Sequence, residues 1–85
     1  MKEQLIDIIC EVLEIEKDIV TDEKMLVSDL GAGSLAVAKI AVKVEDFYDV
    51  LLEDESIYSF EDISVKDFCH RISNALVEQG VQEDQ

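Results

Sequence analysis

Gly31-Ala32-Gly33-Ser34-Leu35, preceded by Ser28-Asp29-Leu30 and followed by a proline-free apolar run, places a serine hydroxyl where a helix begins. A helix start presents backbone N–H groups without intrahelical partners and a partial positive charge, so a phosphate ester joined to that hydroxyl would be held by the local electrostatics. Taken alone, Ser34 also reads as an ordinary N-cap, worth about 1 kcal/mol to its helix. As a hydrolase nucleophile it would need a base and an orienting acid. The single histidine, His70, is far along the chain, and the flanking residues do not form G-x-S-x-G.

The other candidate chemistries fail on spacing. Gly31, Gly33 and Ala36 formally satisfy G-x-G-x-x-G/A after Met25-Leu26-Val27, but a dinucleotide-binding unit needs parallel strands on both sides of the helix, and no second strand follows Tyr48. His70, between Cys69 and Arg71, reads as a solvent-facing helix residue with no second metal ligand at a useful spacing. The acidic run around Asp54 lacks the oxygen spacing and turn glycine of a calcium loop. Catalysis and a dedicated metal site are therefore not expected.

The elements that must position Ser34 follow from hydrophobic periodicity. Leu5, Ile8, Ile9, Val12 and Leu13 recur at three- and four-residue steps, which predicts an amphipathic helix from Lys2 to about Glu16. From Lys17 to Gly33 the period is lost. Ile19, Val20, Met25, Leu26, Val27 and Leu30 remain to pin a long loop against the core.

A second helix is predicted from Ser34, as its N-cap, to about Tyr48. At about 100° per residue, Val37, Ile40, Ala41, Val44 and Tyr48 share one side, while Leu35, Ala38 and Val42 lie nearly opposite and stay accessible. Ser64-Val65-Lys66-Asp67 is a capping-box variant, followed by Val65, Phe68, Ile72, Ala75 and Leu76 at helical spacing, with Gly80 as the stop. Between these helices, Ile57, Tyr58, Phe60 and Ile63 could anchor a short helical turn in an acidic stretch. No alternating strand pattern or repeat occurs. The expected fold is an all-α bundle of three main helices plus a short third helix, with a long loop between the first two.

The chain's 85 residues bound one small domain, expected to pack over about residues 3–78 with a flexible tail at 80–85. Its 21 acids and 7 bases give a formal charge of −14, and eight acids with no base lie between Glu45 and Asp62. Nucleic acid and anionic lipid should be repelled, whereas proteins with a basic patch should associate fast and with strong salt dependence. Cys10 and Cys69 sit far apart in amphipathic segments and read as small buried thiols, not a metal knuckle or a disulfide framework. No basic-then-apolar signal stretch and no membrane-spanning run occur, so a cytoplasmic location without membrane insertion is expected; a monomer is expected as well.

Over nearly its whole length the sequence resembles the acyl carrier protein family. The family's modification motif, D-L-G-x-D-S-L, appears here as Asp29-Leu30-Gly31-Ala32-Gly33-Ser34-Leu35. The first helix, the loop length before the motif, the acids Glu45 and Asp46 late in the second helix, and Ile63-Ser64-Val65 before the last helix also match. The resemblance implies a non-catalytic carrier with 4′-phosphopantetheine on the Ser34 hydroxyl, transferred from coenzyme A by a magnesium-dependent phosphopantetheinyl transferase. The arm's thiol would bear acyl groups as thioesters for fatty-acid, polyketide or related enzymes with basic patches, or aminoacyl or peptidyl groups. It further implies Leu35 and Val42 as apolar partner contacts and Glu45 and Asp46 as acidic ones, with Ala38 completing the apolar stripe read from periodicity.

Three features depart from the pattern. Gly33 replaces the aspartate before the serine, which predicts narrower transferase recognition. Lys39 and Lys43 interrupt a helix that is generally acidic in the family and predict a particular partner. The proline common after the second helix is absent. A second reading, motivated by Gly33 and the two lysines, is an unmodified acidic module that keeps the carrier fold and binds a protein partner through the second helix.

Overall fold

A twelve-residue helix is marginal in water by itself, and its apolar stripe makes it stable only when covered. In the computed structural model, which describes residues 1–52 and 62–82, helix α1 (Lys2–Leu13) buries Leu5, Ile8 and Ile9. It packs against both other helices, α2 (Ser34–Tyr48) and α3 (Val65–Glu78). Helix α2 contributes Val37, Ile40, Ala41 and Val44 to the core, with Tyr48 half-buried at the edge. Helix α3 contributes Val65, Phe68, Cys69, Ile72, Ala75 and Leu76. These are the stripes read from periodicity. The fold is an all-helical bundle with a long loop between α1 and α2.

The helix ends follow local rules. Ser64 caps α3, its hydroxyl oxygen accepting the Asp67 N–H at 3.1 Å, an arrangement worth about 1 kcal/mol over alanine. At the other end, the N–H of Gly80 reaches the Val77 carbonyl and that of Val81 reaches the Leu76 carbonyl, both at 3.0 Å. This closing turn needs a positive φ at Gly80, observed at 92°, and glycine adopts it without a Cβ penalty.

Helix α1 stops at Leu13 rather than near Glu16. Glu14 turns left-handed at φ 57°, and its N–H and that of Ile15 both reach the Cys10 carbonyl. The reversal lets Ile15 fold back onto the core, which the longer helix would have prevented.

The loop is held by both side chains and backbone. Val20, Leu26 and Ala32 are buried, whereas Ile19, on a short 3₁₀ turn at Lys17–Ile19, stays 45% exposed and does not serve as the pin expected of it. Met25 and Ser64 form an isolated antiparallel bridge, flanked by Leu26 N–H to the Ile63 carbonyl (2.9 Å) and Val65 N–H to the Lys24 carbonyl (2.8 Å). Lys66 N–H bonds the Asp22 carbonyl at 3.1 Å, and the Asp22 carboxylate pairs with Lys2 Nζ at 2.6 Å. The loop before α2 is thus tied to the start of α3.

The short helical turn expected at Ile57, Tyr58 and Phe60, and the last residues of the tail, 83–85, lie outside the described residues. Ile63 packs half-buried against the core, and Val81 does the same at the head of the tail.

Candidate functional site

Ser34 opens α2, but it is not the N-cap that its sequence context suggests. Gly33 takes that position with extended backbone (φ −75°, ψ −177°), and no side chain caps the helix. The reason is the register of the first turn. The Gly33 carbonyl accepts the N–H of Val37 at 3.0 Å, which makes Ser34 the first fully helical residue. Its side chain is exposed and the first turn carries no acid, so the partial positive charge of the helix start is not neutralised by a local carboxylate.

The approach to Ser34 is tightly turned. The N–H groups of Asp29 and Leu30 both reach the Met25 carbonyl, Gly31 N–H reaches Val27, and Ala32 N–H reaches Leu26 at 2.8 Å. Gly31 has a φ of 72°, which glycine adopts freely and L side chains rarely do. Ala32 is fully buried and anchors the turn to the core, while Leu30 packs half-buried against it. A Cβ at Gly33 would meet none of the described residues within 4 Å. The site is a single exposed hydroxyl at a helix start, on a loop held rigidly from behind.

Two carboxylates brace that loop. Asp29, of the motif, accepts the Met25 N–H at 2.7 Å and so closes the turn from within. Asp62 reads from the sequence only as the last acid of the run that begins at Glu45. Its Oδ1 accepts Val27 N–H at 2.9 Å and Ser28 N–H at 3.4 Å, and its Oδ2 accepts the Ser28 hydroxyl. The Ser28 hydroxyl, then the Val27 N–H, hold the Asp62 carboxyl below its ordinary range. Beyond that run, its sequence signal is its place beside Ile63-Ser64-Val65.

The outer face of α2 bears out the two-sided pattern. Leu35 is 70% exposed and Val42 52%, with Ala38 half-buried between them and Asp46 exposed on the same side. Glu45 is only half-exposed and already has a task, since its Oε2 accepts the Leu52 N–H at 2.8 Å and ties down the segment after α2. The two lysines part company. Lys43 pairs with Glu11 of α1 at 2.8 Å, whereas Lys39 is exposed with no ion pair among the described residues.

The other reactive side chains stand apart from the site. His70 faces solvent on α3. Burial pushes the Cys69 thiol up to about 11, which leaves it a neutral core group. Cys10 is half-buried rather than buried, because it lies at the margin of the α1 stripe. Among the described residues no group of three or more His, Cys, Asp or Glu could hold a metal, and no helix is long and apolar enough to cross a membrane.

Residues 3–72, which contain the whole of this site, match the family model described as a phosphopantetheine attachment site. The chain is similar to the acyl carrier protein of Syntrophobacter fumaroxidans, 39% identical over 67 residues that make up 79% of this chain and 80% of that protein. To the acyl carrier protein of Syntrophus aciditrophicus it is 33% identical over 57 residues, 67% of this chain and 71% of that one. It is 47% identical over 53 residues to the meromycolate extension acyl carrier protein of Mycolicibacterium smegmatis, 62% of this chain but only 54% of that longer protein.

Proposed function

The chain belongs to the acyl carrier protein family, whose members carry 4′-phosphopantetheine, and from that premise we propose that Ser34 is the attachment point and that this protein presents acyl intermediates to biosynthetic enzymes. The observation that carries the reading is the Ser34 hydroxyl, exposed at the head of an α2 that no side chain caps. When bound, the group supplies a terminal thiol that forms thioesters with acyl cargo.

The residues present fit that group. The unneutralised start of α2 favours a phosphodiester's negative charge, and none of the described residues crowds a Cβ at Gly33. Gly31, Ala32 and Asp29 fix the backbone so that Ser34 projects from a stiff turn, which lowers the ordering cost when an enzyme grips it. A flexible tether from that point raises the effective concentration of cargo at a docked enzyme. The protein's own residues perform no bond-making step in this reading. A phosphopantetheinyl transferase installs the arm in the cytoplasm, and fatty-acid, polyketide or related enzymes use it.

Partner enzymes read α2. Leu35, Ala38 and Val42 form the apolar strip, Asp46 the free acid beside it, and Glu45 a second acid partly occupied by Leu52. With a net charge of −14, encounter is steered toward basic surfaces and weakens with salt. Lys39 is the lysine of α2 left to discriminate among partners, since Glu11 neutralises Lys43.

Two measurements test this. Wild-type protein incubated with coenzyme A and a panel of transferases is expected to gain one phosphopantetheinyl group by intact mass, mapped to the peptide containing Ser34. A protein that keeps its translated mass with every transferase sinks the reading. Val42→Asp, at a half-exposed site, is expected to change folding stability by no more than about 0.5 kcal/mol. It should nevertheless weaken a partner enzyme's binding about tenfold or more, because a charge is forced into the apolar centre of the contact. Calorimetric titration against that enzyme checks it, and unchanged affinity removes the strip from the docking surface.

A further inference from the structure

Among the described residues the Ser34 hydroxyl has no hydrogen-bond partner, so its placement comes from the backbone before it, and that backbone is held by a residue distant in sequence. Asp62 lies 34 residues beyond Ser28 and 35 beyond Val27 in sequence, yet its carboxylate takes both their N–H groups and the Ser28 hydroxyl. Val27 and its neighbour Leu26 in turn offer the carbonyls that receive Gly31 N–H at 3.1 Å and Ala32 N–H at 2.8 Å. Only Gly33 separates that ladder from Ser34. The carboxylate is itself aimed by the Met25–Ser64 bridge and by Leu26 N–H on the Ile63 carbonyl at 2.9 Å.

We propose that Asp62 is a positioning residue for modification of Ser34: its carboxylate holds Val27-Ser28, and through them Gly31-Ala32, in the one conformation the transferase must meet. The inference rests on the reading of Ser34 as the attachment point. In the transfer, the bond from Ser34 Oγ to phosphorus forms and the pyrophosphate P–O bond of coenzyme A breaks. Adenosine 3′,5′-bisphosphate leaves, and the hydroxyl proton passes to the transferase. Asp62 touches none of these atoms. It sets how often the loop is already in place when the enzyme arrives.

The side-chain chemistry suits the task. An ionised carboxylate only accepts, with two oxygens and several lone pairs, and here it faces three donors, two N–H and one O–H. Gly31 and Gly33 have no side chain that could take over this bracing.

The test compares the wild type, Asp62→Ala and Asp62→Asn as full-length apo proteins with coenzyme A and one transferase that modifies the wild type. In Asp62→Ala the KM for the carrier is expected to rise about tenfold with kcat nearly unchanged, the signature of a loop competent about a tenth of the time. Hydrogen exchange should show the amides of Val27, Ser28, Gly31 and Ala32 losing protection while those of Ile9 and Ile72 keep theirs. Asp62→Asn should recover most of the KM, because its amide oxygen still accepts Val27 N–H and the Ser28 hydroxyl can turn to accept from its NH₂. An Asp62→Ala protein with wild-type KM overturns the inference. So does one whose core amides lose protection together with the loop, since the effect then belongs to the whole fold. A wild type that no transferase modifies overturns the reading of Ser34 as well, a result no Asp62 variant can mimic.

Discussion

Ser34→Ala is expected to give a protein that takes up no phosphopantetheinyl group from any transferase and yet is as stable as the wild type. The first half follows from chemistry, since alanine has no oxygen to esterify. The second half follows from the structure. A capping serine would lose about 1 kcal/mol on truncation, but the cap here is Gly33 and the Ser34 side chain is exposed. Alanine is also the better helix former, by a few tenths of a kcal/mol. Thermal denaturation should therefore place the variant within about 0.5 kcal/mol of the parent, while intact mass after incubation with coenzyme A shows no adduct. A variant that still gains the adduct would place the modification elsewhere. A stable variant that binds its partner enzyme as tightly as the modified wild type would favour an unmodified docking module over a carrier.

The opposite combination, large loss of stability from a residue remote from the chemistry, is expected at Phe68. Its ring is the largest wholly buried side chain of the described residues, on the inner face of α3. Phe68→Ala removes that apolar area from the core and leaves a cavity which neighbours fill only in part, at a cost of about 3–5 kcal/mol. An 85-residue domain has roughly 4–13 kcal/mol to lose. The thermal midpoint should fall by at least about 12 °C. Modification should fail in proportion to the unfolded fraction, because α3 begins at the segment that braces the Ser34 loop. A drop of less than about 1 kcal/mol would mean that the site collapses around the smaller side chain, and would refute the close packing attributed to it.

Side by side, the two variants separate what the serine does from what the bundle does. Both expectations also depend on the difference between a residue's local context and its tertiary surroundings. For Ser34 the local context suggested a cap, and the helix register assigned that place to the residue before it. For Phe68 the local pattern was enough.

Much of the molecule was legible because its determinants are local. The bounds of α2, Ser34–Tyr48, follow from apolar spacing and from the absence of glycine and proline, and its core stripe and exposed strip follow from the same rotation per residue. The Ser64 cap and the Gly80 stop could be read within three or four residues of themselves. Helix α1 was the partial exception. Nothing in Glu14 itself demands a left-handed turn, and the turn exists because Ile15 gains burial by folding back. Ile19 failed as a pin for a related reason, since an apolar residue in a loop has no periodicity to say which way it faces.

The amino-acid sequence by itself determined the courses of α2 and α3, the apolar face of each of the three helices, and which serine stands at a helix start in a family motif, because these depend on neighbours one to four positions apart. Tertiary structure alone decided that Asp62 carries Val27 and Ser28, that Glu11 claims Lys43, and that Glu45 is partly spent on Leu52. Those partners are 7 to 35 residues apart. A hydrogen bond or ion pair needs its atoms about 3 Å apart, and only the packing of α1 against α2 and α3, with the loop tied between them, brings such distant groups within reach.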